Sequence, residues 1–121
     1  MADAVYTRNP IVKSAVNGTV APTNGNRSNA ILTTSATEYA MIQIGVYNGS
    51  GGASVINIGT STSAGVAATL GNTLVYKSLT TLEFMTTVTL FIGPGITVYV
   101  GTGDTAGTTR FNYDGVILGN G

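Results

Sequence analysis

The chain has 121 residues, enough for one domain with a core of its own, and its five Lys or Arg balance five Asp or Glu. Zero net charge removes the simplest electrostatic case for binding nucleic acid or an anionic membrane, and the absence of His and Cys removes imidazole bases, thiolate nucleophiles and the usual zinc ligands. Charged residues are 8% of the chain against roughly 25% in an ordinary domain, so hydroxyls and amides must cover its surface. That finish suits a protein whose surface is occupied by neighbours, or a monomer that keeps an uncharged exterior.

Residues 1–28 hold Pro10, Pro22 and the pairs Asn17-Gly18 and Asn24-Gly25, with apolar clusters only at residues 5–6 and 11–16. One short strand in a mostly extended segment is expected. The reading is an extended N-terminal arm, residues 1–28, ahead of a β-sandwich domain, residues 29–121; an ordinary first strand docked on its own sandwich is the alternative. Arg8, Lys13 and Arg27 against Asp3 give this segment a balance of +2. Met1 to Ala4 open without a basic run leading into an apolar one, so no secretory signal is expected, and no apolar run reaches membrane-spanning length. The sequons at Asn17, Asn26 and Asn48 then read as turn residues rather than glycan sites.

Residues 30–34 read as a short edge strand. From Tyr39 to Tyr47 the chain alternates, with Ala40, Ile42, Ile44 and Val46 on one face and Met41 and Gln43 on the other. Asn48 to Gly52 supply turn residues, and Ala53 to Ile58 resume a β-branched run, so residues 39–58 are expected to form a hairpin. Residues 60–68 are small and polar and read as a loop, with a helical turn over 64–70 as an option; residues 72–79 return to strand character. A second hairpin is expected over residues 81–100, turning at Gly93-Pro94-Gly95, whose proline pre-sets φ. Residues 101–109 form a flexible connection, and residues 110–118 a closing strand with a bulge expected at Asp114-Gly115. Twenty Thr, 17 Gly and no period of 3.6 complete the pattern. The fold class is all-β: an antiparallel β-sandwich of seven to nine strands with jelly-roll or related Greek-key topology.

Chemistry is scarce. A glycosidase needs two carboxylates at a set separation, and Glu38 and Glu83 stand at strand positions outside the core, as solvated charges do. The loop Gly101-Thr102-Gly103-Asp104 lacks the following helix and the Lys of a phosphate-binding loop. Asp104 and Asp114 are too isolated to hold calcium. Six tyrosines could stack on sugars, but their scatter suits rims of the core. No catalytic residue, metal or cofactor is expected.

The run YAMIQIGVYNGSGGASVINI, followed by VTLFIGPGITVYVGTG and a last strand ending DGVIL, resembles the small β-sandwich modules of tailed-bacteriophage virions, above all capsid decoration (cement) proteins. The resemblance covers about residues 38–118 and implies a structural protein, not an enzyme. It would bind the outer surface of the capsid, with the major capsid protein as partner, and reinforce joints between capsomers as a homotrimer or other closed ring, with no nucleic acid or membrane involved. The segment expected to reach the shell is the arm, through Tyr6, Arg8, Ile11, Val12 and Lys13. Two other readings remain open. One is a tail-fibre or tail-tip module whose loops at residues 49–52 and 101–109 bind a host receptor or glycan. The other is a fimbrial or other cell-surface subunit, which the missing cysteines and signal disfavour.

Overall fold

The computed structural model describes residues 10–22, 29–49, 51–61, 73–80, 82–103 and 107–120. They form eight strands: β1 (Pro10–Val20), β2 (Asn29–Thr33), β3 (Glu38–Asn48), β4 (Ser54–Ser61), β5 (Thr73–Leu79), β6 (Phe84–Ile92), β7 (Thr97–Thr102) and β8 (Thr109–Asn120). The first sheet has the order β1-β8-β3-β6 and the second β2-β7-β4-β5, with every pairing antiparallel. Four of these pairs are nested: β4 with β5, β3 with β6, β2 with β7 and β1 with β8. A long double ribbon rolled until β3 meets β8 and β4 meets β7 gives this order, which is the winding that the jelly-roll expectation requires.

The alternation read from the sequence is what buries the core. Ala40, Ile42, Ile44 and Val46 of β3 face Ile56 and Ile58 of β4 and Val98 and Val100 of β7, all fully buried, with Phe111 and Leu79 closing the layer. At about 1.5–3 kcal/mol for each such side chain, this layer is the main favourable term in folding. The two sheets differ on their outer sides. Every residue of β7 is buried, including the outward-pointing Thr97 and Tyr99, whereas the outer positions of the first sheet are exposed, as at Met41, Gln43 and Asp114, or half-buried, as at Tyr39, Val116 and Leu118.

Four expectations are corrected. Residues 39–58 are not a hairpin, because β3 and β4 lie in different sheets, and the same is true of β6 and β7 within residues 81–100. Alternation reports which face of a strand is buried, and two strands that face each other across a core alternate in the same way as two neighbours in one sheet. The division of the chain at residue 28 also moves: Pro10–Val20 pairs with β8 along its length as an edge strand, the docked alternative, while residues 1–9 and 23–28 lie outside the described residues. The bulge expected at Asp114-Gly115 is absent, since β8 runs in unbroken register with β3 from Thr109 to Gly119. Gly115 is there for space: a Cβ on it would strike the carbonyl of Met41 and the Cα of Ile42. The bulge falls instead at Lys13 of β1. The optional helical turn over 64–70 lies outside the described residues.

Candidate functional site

Of the five expected contact residues, Tyr6 and Arg8 lie outside the described residues. Ile11 enters β1 opposite Gly119, and Val12, opposite Leu118, is 62% exposed. Lys13, at the bulge, sends its stem across Gly119, where any Cβ would meet the Lys13 Cδ, and its Nζ lies 3.4 Å from a carboxylate oxygen of Glu38 on β3. Lys13 therefore clamps β1 to β3 over the top of β8. The cation expected to reach a partner is engaged within its own sheet.

Register sets the outer face of the first sheet in rows. One row runs Ala15, Val116, Met41, Phe91 across the four strands, and beside it Val12, Leu118 and Tyr39 are aligned. This is an apolar band, with Phe91 80% and Met41 36% exposed. The next row is polar: Asn17, Asp114, Gln43, Thr89. Beyond it stand Thr19 and Asn112, joined by a hydrogen bond from the Thr19 hydroxyl to Asn112 Oδ1 of 2.8 Å, and Gly45, which contributes no side chain. The gap at Gly45 opens a shallow depression of about 340 Å³ lined by Gln43, Gly45, Asn112, Tyr113 and Asp114. A second, of about 250 Å³, lies toward Met41, Thr89 and Val116 and shares Gln43 and Asp114. Neither of these two side chains makes a hydrogen bond among the described residues, so an amide and a carboxylate are presented to whatever occupies the trough.

The two strand-entry carboxylates are committed elsewhere. Glu38 Oε1 accepts from the backbone N–H of Ser35 at 3.1 Å, and Glu83 Oε1 accepts from the N–H and hydroxyl of Thr80 at 2.7 and 2.9 Å. Each is a Ser/Thr-x-x-Glu turn with one half of a capping box, the carboxylate reaching back to the first residue's N–H, while the Glu N–H donates to that residue's carbonyl, at 3.3 Å for Glu38 and 3.2 Å for Glu83. Both carboxyls are held below the ordinary carboxylate range, first by those backbone N–H groups, then by the Ser35 and Thr80 hydroxyls, and further by Lys13 and Lys77 respectively. The turns stand at opposite ends of the 11-residue β3, on the order of 30 Å apart. A glycosidase pair sits at about 5–10 Å. Among the described residues no group of three or more His, Cys, Asp or Glu gathers for a metal, and no helix is long and apolar enough to cross a membrane.

Sequence reasoning missed the outer-face rows because they depend on pairing between residues remote in the chain, such as Val12 and Leu118. It also missed Asn48, read as a turn residue and in fact fully buried. Its only local signal is its place at the end of an inward-facing series of alternate positions.

No protein-family model matches the chain, and no curated protein does. Among solved structures, it is similar to the CBM22-1-GH10 modules of the Clostridium thermocellum xylanase 10B complexed with xylohexaose, at 15% identity and a TM-score of 0.40 over 92% of this chain and 25% of that one. It is also similar to a chain of the T13 IBDV viral particle, at 11% identity and a TM-score of 0.41 over 93% of this chain and 31% of that one. The chain thus spans a third or less of each of these structures, and likenesses at this level carry nothing about what it binds.

Proposed function

We propose that the chain is a structural virion protein of a tailed phage, one that binds the outer surface of the capsid and reinforces contacts between capsomers. It would act without catalysis or a cofactor, with the major capsid protein as its partner. The observation that carries this reading is the apolar band on the outer face of the first sheet, Val12, Leu118, Tyr39, Val116, Met41 and Phe91. Such a band gives contact area without a charge pattern, and modest interfaces become strong when a symmetric shell repeats them. In this reading Val12, exposed at the β1 end of the band, is one of the residues that would touch the shell. Deleting residues 1–20 does not test that role, because it would remove β1 from the sheet and uncover β8.

The test is co-sedimentation of the purified chain with phage capsids stripped of it. Val12→Asp with Met41→Asp, both changes on the outer face, is expected to lower binding at least tenfold while leaving the unfolding midpoint nearly unchanged. Unaltered binding by that variant sinks the proposal, as does a copy number of only a few per virion.

A second reading, a tail module that binds a host glycan, is favoured by one observation: Gln43 and Asp114, both without a hydrogen bond among the described residues, share the trough beside Asn112 and Tyr113. Amide and carboxylate side chains match sugar hydroxyls; Tyr113, opposite Ile44, turns its ring toward the core. Glycan-array binding abolished by Gln43→Ala would select this reading over the first.

A further inference from the structure

A sandwich of two four-stranded sheets has four open edges, and this chain protects them unequally. β1 carries Pro10, which has no N–H, a bulge at Lys13 and the Lys13 charge itself. β2 has five residues and a bulge between Ala30 and Leu32. In β5 the extra residue Leu74 bulges opposite the Ile58-Gly59 step, and exposed Lys77 follows it. These are the usual devices against edge-to-edge pairing: short strands, bulges, proline and lysine.

β6 has one such device, a bulge at residues 86–87 opposite Gly45, and nothing after it. From Val88 to Ile92 the strand pairs residue for residue with Ile44 to Ala40, and its sequence VTLFI contains no charge, proline or glycine. Phe91 is 80% exposed on its outer side, and of the residues that point toward the core Ile92 is buried while Val88 and Leu90 are only partly so. The opposite backbone edge of this run has no strand beside it among the described residues.

We infer that residues 88–92 of β6 are a strand-addition edge whose occupant is the same edge of a second copy of this chain. Pairing is antiparallel about a two-fold axis, so the first sheets of two protomers join into one eight-stranded sheet. A second copy's β6 is favoured over its other edges because this run is both uncharged and in unbroken register, whereas β2, also uncharged, is broken by its bulge and β5 by its bulge and Lys77. β1 of a second copy would instead bring the Pro10 gap, the Lys13 bulge and an unmatched ammonium to an edge with no acid. Two-fold pairing is isologous and closed, so it ends at the dimer. With the five-residue run centred on Leu90, Phe91 of each protomer lies across the two-fold from Thr89 of the other.

The experiment is sedimentation velocity of the full chain over a range of concentrations, with hydrogen exchange on the same samples. The wild type is expected to sediment as a dimer of two 12.3 kDa chains, with the amides of residues 88–92 gaining protection as concentration rises. Thr89→Lys with Phe91→Lys places like charges near each other across the two-fold at two exposed positions. That variant is expected to be a monomer with an unchanged unfolding midpoint, whereas Leu74→Lys on β5 leaves the dimer intact. A monomeric wild type, a trimer, an oligomer that survives the double lysine variant, or one lost with Leu74→Lys overturns the inference. Exchange at residues 88–92 that does not depend on concentration also overturns it, independently of whether any variant folds.

Discussion

The two ends of the sandwich solve the same problem with different chemistry. At each end the chain must leave one sheet and enter the other, which takes backbone groups out of both ladders and leaves them to be satisfied locally. At one end the buried Thr34 does this: its hydroxyl donates to Gly93 O at 2.6 Å and accepts from Ile96 N at 3.0 Å, and its own N–H donates to Ile96 O at 2.9 Å. Thr34 thus ties the β2–β3 crossing to the β6–β7 crossing. At the other end Asn48 is fully buried, and its Nδ2 lies 3.0 Å from Gly52 O, 3.1 Å from Leu79 O and 3.0 Å from Thr80 O. Its Oδ1 accepts from the Thr109 hydroxyl at 3.3 Å, while its backbone bonds Glu83 O and the N–H of Leu82. One asparagine joins the β3–β4 crossing, the β5–β6 crossing and the start of β8. A hydroxyl can serve one neighbouring crossing; an amide, with two donors and an acceptor in a plane, can serve three segments.

Removing each group is the strongest test of that asymmetry. Asn48→Ala takes the amide away from three carbonyls and the Thr109 hydroxyl; its bonds to Leu79 O and Thr109 are buried, those to Gly52 O and Thr80 O partly so. At about 1–3 kcal/mol for each buried group left unpaired, and with some relaxation, the loss is about 4 kcal/mol. That is a large share of the roughly 5–15 kcal/mol a domain has. Thr34→Val keeps the shape and removes one hydroxyl, at a cost of about 1–2 kcal/mol. Urea unfolding of both variants measures the difference. Equal losses would mean that the two ends are equivalent and Asn48 is no hub.

Much of this was legible along the chain, and the illegible part has one cause. The alternation of residues 39–47 identified the inward face of β3, the Gly93-Pro94-Gly95 turn was placed correctly, and the closing strand's Phe111 lies in the core. These follow from local periodicity and turn chemistry. Which strands lie side by side does not, because it is set by which apolar faces meet. Two hairpins were therefore expected where the chain crosses between sheets, and Asn48 was assigned to a turn when it is the buried group that makes the crossing feasible. The candidate surface suffers the same limit. Val12 could be named from its own segment, but the row joining it to Leu118 and Tyr39 exists only once β1, β8 and β3 are in register.

A smaller effect tests how each crossing holds its left-handed residue. At the Thr34 end this is Gly95, φ 68°, whose N–H donates to Ser35 O at 2.9 Å; at the Asn48 end it is Leu82, φ 60°, whose N–H donates to Asn48 O at 2.8 Å. The same conformation costs a leucine about 1–2 kcal/mol and a glycine almost nothing. Leu82 is 63% exposed, so its side chain gains little in return. Leu82→Asn is expected to raise stability by about 0.5–1 kcal/mol, and Gly95→Ala to lower it by about 1 kcal/mol. Opposite signs in thermal unfolding are the required outcome, and stabilisation by Gly95→Ala would contradict the left-handed assignment at that end.

The smallest difference lies in the two Ser/Thr-x-x-Glu turns and shows only in acid. Glu38 and Glu83 both have folded pKa values below the ordinary 4.5. The unfolded chain therefore takes up protons at a higher pH than the folded one. Their contribution is complete above the ordinary value and is lost as pH falls through the folded values, so the unfolding midpoint should be level from neutral pH down to about 5 and decline below about 4.5. Glu83 is held by two bonds of 2.7 and 2.9 Å from Thr80, whereas the Glu38 bond from Ser35 N is 3.1 Å and is supplemented by the half-exposed Lys13. Glu83→Gln should accordingly flatten the acid limb more than Glu38→Gln. Molar salt should weaken the Glu38 share more than the Glu83 share, because it screens an exposed ion pair and leaves short backbone hydrogen bonds in place. An acid limb unchanged in the double Gln variant would show that neither turn is held by its carboxylate.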